Sequence, residues 1–190
     1  MAEECIQASG ASGGCLVIMG VSACGKTTVG AAVAQRIGGR FVDGDDHHSR
    51  ENVAKMAAGI PLTDGDRMPW LAGLHEIIAT HLACGSQASL VVACSALARR
   101  HRDQLRGSLP PGSVRFVHLA ADSTTILGRL DTRQDHFMKG RHMLEAQFAA
   151  LESLAADELA TGSVVLNASD PVRSLTDHVV GLWENPQRGG

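Results

Sequence analysis

The residues from Gly20 to Thr28, GVSACGKTT, match the phosphate-binding pattern G-x-x-x-x-G-K-[ST]. A short apolar run precedes them and a helical pattern follows, which is the context in which backbone N–H groups cradle phosphates. Lys26 is expected to reach the β- and γ-phosphates, and Thr27 is expected to hold Mg²⁺. The pattern predicts nucleotide binding but does not say where the terminal phosphate goes. The predicted nucleotide-binding residues of this loop are Gly20, Val21, Ser22, Ala23, Cys24, Gly25, Lys26, Thr27 and Thr28.

Two carboxylates, Asp43 and Asp45, come at the end of a run that reads as the second strand, residues 40–43. Ligands of an open parallel sheet bind beyond the carboxyl ends of its strands, so both side chains are expected near the phosphate loop. Asp43 would join the Mg²⁺ shell through water, and Asp45 would accept the proton of an attacking hydroxyl. The alternative is a solvated acidic turn or a helix cap.

Composition narrows the function classes. The chain has 190 residues, 44% of them apolar, which is enough for one globular domain with a core. Its net charge of −3 argues against nucleic acid and anionic membranes as partners. Its five Cys include no C-x-x-C pair, which favours the reduced thiols of a cytoplasmic protein. Residues 1–14 lack a signal-peptide pattern and are expected to form a flexible tail, and residues 15–185 are expected to form a single domain.

Apolar runs alternate with helical patterns along the chain. The runs read as strands buried on both faces, and they are CLVIM at 15–19, RFVD at 40–43, LVVAC at 90–94, VRFVHL at 114–119 and SVVLN at 163–167. Helices are expected over 26–37, 49–59, 69–84, 97–106 and 170–183. This alternation predicts an α/β fold of the P-loop NTPase type: a three-layer sandwich with a five-stranded parallel sheet, helices on both faces and a lid.

A long central pattern indicates the reaction. The chain resembles the gluconokinase family of P-loop kinases over about residues 16–154, which is most of its length. The motifs that carry the resemblance are MGVSACGKT at 19–27, DGD at 43–45 with His48, KM at 55–56, Gly59, PL at 61–62, Asp64, DR at 66–67, PWL at 69–71, CSAL at 94–97, RD at 102–103, HFM at 136–138, QF at 147–148 and LE at 151–152.

The resemblance implies Mg²⁺-dependent transfer of the γ-phosphate of ATP to the 6-hydroxyl of D-gluconate, giving 6-phospho-D-gluconate for the pentose phosphate pathway. It also suggests a homodimer. Gluconate carries one carboxylate and many hydroxyls, so its site needs a cation and several polar side chains. Lys26, Asp45 and Arg133 are the predicted catalytic residues, with Thr27 and Asp43 at the metal. The predicted substrate-binding residues are Asp45, His48, Lys55, Arg67, Arg102 and Gln147.

Four of these residues also have a structural interpretation. Arg67 could pair with a nearby aspartate of its own segment. Arg102 could belong to a solvated helix within the basic run ARRHR, and Lys55 could lie on a polar helix face at the surface. Gln147 could support the lid or pack against neighbouring side chains.

The predicted lid contains two arginines, Arg129 and Arg133, which are four residues apart and so share one helix face. By resemblance to related small kinases, Arg129 is expected at the nucleotide base and Arg133 at the phosphates. Residues 134–140 follow and are expected to form a mobile loop. Closure of such a lid would exclude water and protect ATP from hydrolysis. The alternative is a solvated, positively charged helix face.

The chain departs from the family pattern at Ala98 and His101, where the family has Lys and Tyr, and at Ala23 and Cys24, where it has Gly and Ser. None of these changes removes a group that the mechanism requires. A related kinase for another polyol acid, such as shikimate, is the nearest rival. A nucleotide-dependent protein switch is the rival from another class, but Ala168 replaces the Lys expected in a guanine-reading motif.

Overall fold

The computed structural model of the chain describes residues 13–131 and 137–185. The strands are β1 (Cys15–Met19), β2 (Arg40–Asp43), β3 (Leu90–Ala93), β4 (Val114–Ala120) and β5 (Val164–Asn167). The helices are α1 (Lys26–Arg36), α2 (Arg50–Ala57), α3 (Asp64–Ala83), α4 (Arg99–Arg106), α5 (Ser123–Asp131), α6 (Phe137–Ala149), α7 (Ala156–Ala160) and α8 (Val172–Glu184), and Gly44–His47 form a 3₁₀ turn.

The five strands form one sheet in the order β2-β3-β1-β4-β5, and every neighbouring pair is parallel. After β1 the chain forms β2 and β3, which lie to one lateral side of β1, and it then crosses to form β4 and β5 on the other lateral side. A topological switch point therefore lies beside the carboxyl end of β1. Ligands of open parallel sheets bind at such a point. The predicted α/β fold with its five-stranded parallel sheet is confirmed.

Side chains of β1 alternate between two hydrophobic clusters, one on each face of the sheet. Leu16 and Ile18 belong to the cluster that includes Val33 of α1 and Val179 of α8. Val17 belongs to the cluster that includes Leu74 of α3. Because successive residues of a strand point to opposite faces, the continuous apolar run of β1 serves both layers of helices.

Two helix starts differ from the sequence expectation by more than two residues. Helix α3 begins at Asp64, five residues before the predicted start at Pro69, because Thr63 and Asp66 form a capping box. Helix α6 begins at Phe137, so residues 137–140 are helical rather than part of a loop. Their sequence continues into helix-favouring Met, Leu, Glu, Ala and Gln residues, which explains the early start.

The predicted tail, residues 1–14, lies almost wholly outside the described residues, and the division into tail and single domain stays a prediction. Gly14, at its end, accepts a backbone hydrogen bond from Leu90 at 2.9 Å. Within the described ranges, no helix has the length and apolar character that crossing a bilayer requires.

Arg102 is a core residue, so the prediction that it binds substrate is wrong. Its side chain is fully buried, and two of its N–H groups donate to the two carboxylate oxygens of Glu158 at 2.8 and 2.9 Å. Burial alone would raise the pKa of Glu158, but hydrogen bonds from Arg102, the Ala155 amide and Arg106 lower that pKa to about 2. The remaining donors of Arg102 bind the carbonyls of Leu97, Glu152 and Ser153.

Replacing Arg102 with Ala is expected to lower the free energy of unfolding by about 3–5 kcal/mol, because it removes the buried cation that binds both oxygens of the Glu158 carboxylate and leaves Arg106 on one of them. Urea unfolding measures the change. The matched control is Arg36→Ala, which removes an exposed ion pair with Asp177 and is expected to cost less than about 1 kcal/mol. Equal losses in the two variants would contradict the structural role of Arg102.

Candidate active site

The phosphate loop joins the carboxyl end of β1 to the first turn of α1. Gly20 and Gly25 have positive φ angles of 140° and 107°, and a Cβ at Gly20 would lie 2.8 Å from the Leu119 carbonyl oxygen. The side chains of Val21 and Cys24 are buried, so these two residues offer a ligand their backbone. Lys26 follows, and its ammonium donates to the Val21 carbonyl at 3.0 Å. The loop therefore has the local structure of an anion-binding nest.

Thr27 and Asp43 lie together beside this loop. The Thr27 hydroxyl donates to Asp43 Oδ2 at 2.8 Å, which brings two hard oxygen donors to one point. Mg²⁺ is usually held by one or two such protein oxygens together with substrate phosphates and water. The pair fits that ion, and the predicted metal assignment of Thr27 and Asp43 remains a proposal. Among the residues that the structure describes, no group of three His, Cys, Asp or Glu side chains offers an all-protein metal cage.

The turn that carries Asp45 is held from two sides. Asp43 Oδ1 accepts from the Asp45 amide at 3.1 Å, so Asp43 also caps the 3₁₀ turn. The Trp70 indole N–H donates to the Gly44 carbonyl at 2.8 Å in a buried contact. A Cβ at Gly44 would meet the Ala93 carbonyl oxygen at 2.5 Å, so no larger residue fits there without movement. The result is a fixed backbone that exposes the Asp45 carboxylate, whose side chain is 68% accessible.

His48 lies at the end of this turn and packs flat on Trp70. The two ring centroids are 4.0 Å apart, with 22° between the planes. The His48 side chain is 4% accessible, and its Nε2 lies 3.9 Å from Asp45 Oδ1. Burial lowers the pKa of His48, and this effect outweighs the opposite influence of the Asp45 carboxylate. His48 is therefore a neutral hydrogen-bonding group at neutral pH.

Arg67 stands in the first turns of α3, and both neighbouring carboxylates have other partners. Asp64 binds Arg100 at 2.6 Å, and Asp66 binds Lys55 at 2.6 Å. One N–H of Arg67 donates to the Leu62 carbonyl, which leaves further donors of its five for an anion. Burial lowers the pKa of Arg67, but a guanidinium remains charged in proteins.

One cleft, open to solvent, is lined by the side chains of Lys26, Asp45, His48, Arg67 and Trp70. The phosphate loop contributes Ser22 and Lys26 to the wall of this cleft, and helix α3 contributes Arg67. The lining residues are Ser22, Lys26, Asp45, His48, Met56, Pro61, Leu62, Arg67, Trp70, Ser95, Met143, Ala146 and Gln147.

Comparison with known proteins identifies the family to which this chain belongs. The family model described as shikimate kinase matches residues 22–170. The chain is 44% identical over 161 residues to a probable gluconokinase of Rattus norvegicus, covering 76% of this chain and 85% of that protein. It is 45% identical over 143 residues to a gluconokinase of Gluconobacter oxydans, covering 75% of this chain and 78% of that protein.

A solved structure extends the match to the fold. The crystal structure of a gluconokinase from Sinorhizobium meliloti 1021 superposes with a TM-score of 0.77 at 37% identity, covering 91% of this chain and 93% of that one. The chain belongs to the gluconokinase family. Membership of this kinase family makes it an ATP-dependent phosphotransferase with a P-loop, as the phosphate-loop pattern and the resemblance predict.

Lys55 does not line the cleft of this gluconokinase-family chain. Its ammonium contacts Asp66 Oδ1 at 2.6 Å and joins α2 to α3. The structure therefore favours the alternative interpretation of Lys55 as part of an ion pair at a helix face.

His101 and Ala98, the two departures from the gluconokinase pattern in the CSAL segment, have a local explanation. His101 is buried, and its Nδ1 accepts from the Ala98 amide at 3.3 Å, which caps the start of α4. Its Nε2 faces Asp64 Oδ1 at 3.1 Å. His101 thus connects α4 to the first turn of α3, where Arg67 lies.

Ala23, the third departure, has a φ of 62°, in the left-handed region that favours glycine. Ala96, which follows β3 on the same side of the sheet, has a φ of 45°. Among the described residues, these are the non-glycine positions with positive φ, and they lie in the loops that follow two neighbouring strands. Strained backbone of this kind collects at functional sites.

Gln147 of α6 is bound to the phosphate loop. Its Oε1 accepts from the Ser22 amide at 2.7 Å, and its Nε2 donates to Ser22 Oγ at 2.8 Å. Gln147 also lines the cleft, where a substrate-binding residue is expected to lie, and its assignment to the substrate remains a proposal. Arg133 lies outside the described residues, and of Arg129 the structure gives the backbone position in α5, so their assignments remain proposals.

Several cleft residues were missed by sequence reasoning. Ser95 follows β3 at the same sheet edge as Asp43, and a signal for it existed in the motif CSAL. Met56 and Met143 line the cleft from α2 and α6. Methionine on a helix is usually an ordinary core residue, so residue type alone does not predict a place beside a substrate.

The capping carboxylate Asp66 gives a prediction for acid stability. Hydrogen bonds from Lys55 and from the Thr63 amide and hydroxyl lower its pKa from 3.8 to about 2. Its contribution to stability should be complete above about pH 4 and disappear as the pH falls towards 2. Asp66→Asn should therefore be less stable than the parent chain near pH 7. The difference in the free energy of unfolding should shrink as the pH falls from about 4 to about 2.

Urea unfolding at a series of pH values checks this expectation. The matched control is Glu76→Gln, an exposed acid on the same helix and outside the capping box. A loss in the control with the same size and pH dependence would assign the effect to net charge instead of to the cap.

Proposed function

We propose that this chain transfers the γ-phosphoryl group of ATP to the 6-hydroxyl of D-gluconate with the help of Mg²⁺. The observation that carries the proposal is a single cleft whose walls include the phosphate-loop lysine Lys26, the exposed carboxylate of Asp45 and the guanidinium of Arg67. Such a cleft joins a donor site to an acceptor site. The names of the relatives from rat, Gluconobacter and Sinorhizobium support gluconate as the acceptor.

On the donor side, the backbone amides of the loop and Lys26 would bind the β- and γ-phosphates. Thr27 and Asp43 would hold Mg²⁺, which when bound neutralises charge on the phosphate oxygens. Phosphoryl transfer requires little covalent chemistry from the protein, so positioning and charge stabilisation carry most of the catalysis. Arg133 would add positive charge at the phosphates, and Arg129 would contact the base.

On the acceptor side, Asp45 would bind the 6-hydroxyl. The hydroxyl oxygen forms a bond to the γ-phosphorus while the bond from that phosphorus to the bridging oxygen of ADP breaks. The proton of the hydroxyl passes to the Asp45 carboxylate. An exposed carboxylate is a weak base, and the loose transition state of the reaction requires no stronger one.

Arg67 would bind the carboxylate at the other end of the sugar acid. A guanidinium matches a carboxylate with two parallel N–H donors, which fixes direction as well as affinity. Arg67 and Asp45 line the same cleft, so a sugar acid with its carboxylate at Arg67 would bring its other end to Asp45. This arrangement would select the terminal hydroxyl over the others. His48 and Gln147 would contribute hydrogen bonds between these ends.

We also propose a cytoplasmic homodimer. The five cysteines include no C-x-x-C pair, and this spacing agrees with a reducing compartment. A second candidate acceptor is shikimate, which the family model favours by its description. Shikimate also carries a carboxylate and hydroxyls, so the same arginine would bind it.

The test is the release of ADP from ATP and Mg²⁺ with D-gluconate, with shikimate and without an acceptor. Gluconate is expected to stimulate release strongly, and shikimate is not. The Asp45→Asn variant serves as control and should bind ATP normally while losing the stimulation. Stimulation by shikimate alone would replace the proposed acceptor, and wild-type turnover in Asp45→Asn would remove Asp45 from the mechanism.

Arg67→Ala is expected to raise the KM for gluconate by roughly 10- to 100-fold, because the loss of hydrogen bonds to a charged group costs about 1.5–3 kcal/mol. The KM for ATP should change little. Arg67→Lys should be intermediate, since it keeps the charge but not the paired donors.

The matched control for this prediction is Arg100→Ala, which removes a neighbouring guanidinium that binds Asp64 and does not line the cleft. If Arg100→Ala raised the gluconate KM as much as Arg67→Ala, the effect would come from the start of α3 and not from a carboxylate contact.

A further inference from the structure

Asn52 of α2 is a buried polar residue next to the acceptor side of the cleft. It is 5% accessible, and its side-chain nitrogen donates to the Asp66 carbonyl at 2.9 Å. A carbonyl oxygen accepts hydrogen bonds and cannot donate one. The nitrogen of the Asn52 amide, and not its oxygen, must therefore face Asp66.

This orientation determines what Asn52 offers to His48. The same amide nitrogen lies 3.4 Å from His48 Nδ1. An amide NH₂ has two N–H bonds, of which one goes to Asp66 and the other is directed to His48. A neutral imidazole has one N–H and one acceptor nitrogen, so Nδ1 is the acceptor and the ring proton is on Nε2.

The Nε2 atom that carries this proton lies near the Asp45 carboxylate. Nε2 and Asp45 Oδ1 are 3.9 Å apart, which is too long for a direct hydrogen bond. A hydroxyl oxygen at about 2.8 Å from each atom fits between them. That hydroxyl can donate its proton to Asp45 and accept the Nε2 proton of His48. The stack on Trp70 restricts the orientation of the His48 ring.

We propose that Asn52 is a positioning residue that holds His48 as the Nε2–H tautomer, so that His48 donates a hydrogen bond to the acceptor hydroxyl bound by Asp45. This inference rests on the proposed function for the identity of the hydroxyl, but the tautomer itself follows from contacts within the protein.

The tautomer matters for the direction of proton transfer. A hydroxyl oxygen has two lone pairs, so one accepts from His48 while the other attacks phosphorus. The hydroxyl proton then has one acceptor, the Asp45 carboxylate. In the other tautomer, Nε2 would present a lone pair to the carboxylate and would compete with Asp45 for the same proton. Asn52 therefore also fixes which oxygen lone pair is free to react.

The tautomer can be read directly in the unmodified protein. Long-range ¹H–¹⁵N correlation spectra at about pH 8, above the usual pKa of histidine, distinguish a protonated ring nitrogen from an unprotonated one. The His48 signals are assigned among the nine histidines by their loss in His48→Gln. We expect Nδ1 to be the unprotonated nitrogen. A proton on Nδ1 would overturn the proposal without any assay of activity.

Variants test the consequence for the reaction. Asn52→Asp keeps the shape but offers His48 an acceptor, so it should shift the ring to the Nδ1–H tautomer and lower kcat for gluconate about tenfold or more, the effect expected from losing a hydrogen bond near a charged group. His48→Gln provides an amide N–H that does not depend on Asn52. In that background, Asn52→Asp should lower kcat much less.

The comparison separates positioning from folding. An effect of Asn52→Asp that is equal in both backgrounds would mean that Asn52 acts through the contact between α2 and α3, and the proposal would be wrong. Asn185→Asp, the same chemical change at the exposed end of α8, is the control for added charge. If gluconate fails as an acceptor while His48 shows the expected tautomer, the proposed substrate is wrong and the positioning of His48 stands.

Discussion

The acceptor side of the cleft depends on the contact between the Trp70 indole and the Gly44 carbonyl. This single buried hydrogen bond of 2.8 Å fixes the turn between Asp43 and Asp45 to helix α3. The same indole ring supports His48, and the same helix carries Arg67. Close packing of Gly44 against Ala93 leaves the turn one position relative to the sheet. The positions proposed for metal binding, for the proton acceptor and for carboxylate binding are therefore all set by Trp70 and by β3.

Much of this architecture could be predicted from the sequence, because the signals are local. The apolar run of β1 and the GKT that follows it determine the phosphate loop and the sheet edge. Thr63 and Asp66 form a capping pattern that indicates the start of α3 in the sequence. Pro69 favoured a later start, because proline is common in the first turn of a helix. Contacts between segments that are distant in the sequence leave no local pattern and could not be predicted. The clamp between Ser22 and Gln147 joins residues 125 positions apart.

Charged residues show the limit of sequence reasoning most clearly. Arg67 and Arg102 both occur in polar segments and both suit a carboxylate ligand. In the structure, Arg102 binds a carboxylate of the protein, that of Glu158, whereas Arg67 lines the wall of the cleft. Nothing in the basic run around Arg102 indicates that its helix turns this side chain inward. The difference arises from the packing of α4 against α7, which is a tertiary property.

The buried pair of Arg102 and Glu158 also constrains how the chain can change over generations. Loss of Glu158 leaves the Arg102 guanidinium as an uncompensated charge in the core, whereas loss of Arg102 leaves the Glu158 carboxylate with Arg106 bound to one of its oxygens. A pair of apolar residues of similar volume would be tolerated once both positions had changed. Of the two positions, which are 56 residues apart, Glu158 is therefore expected to change only where Arg102 has already changed.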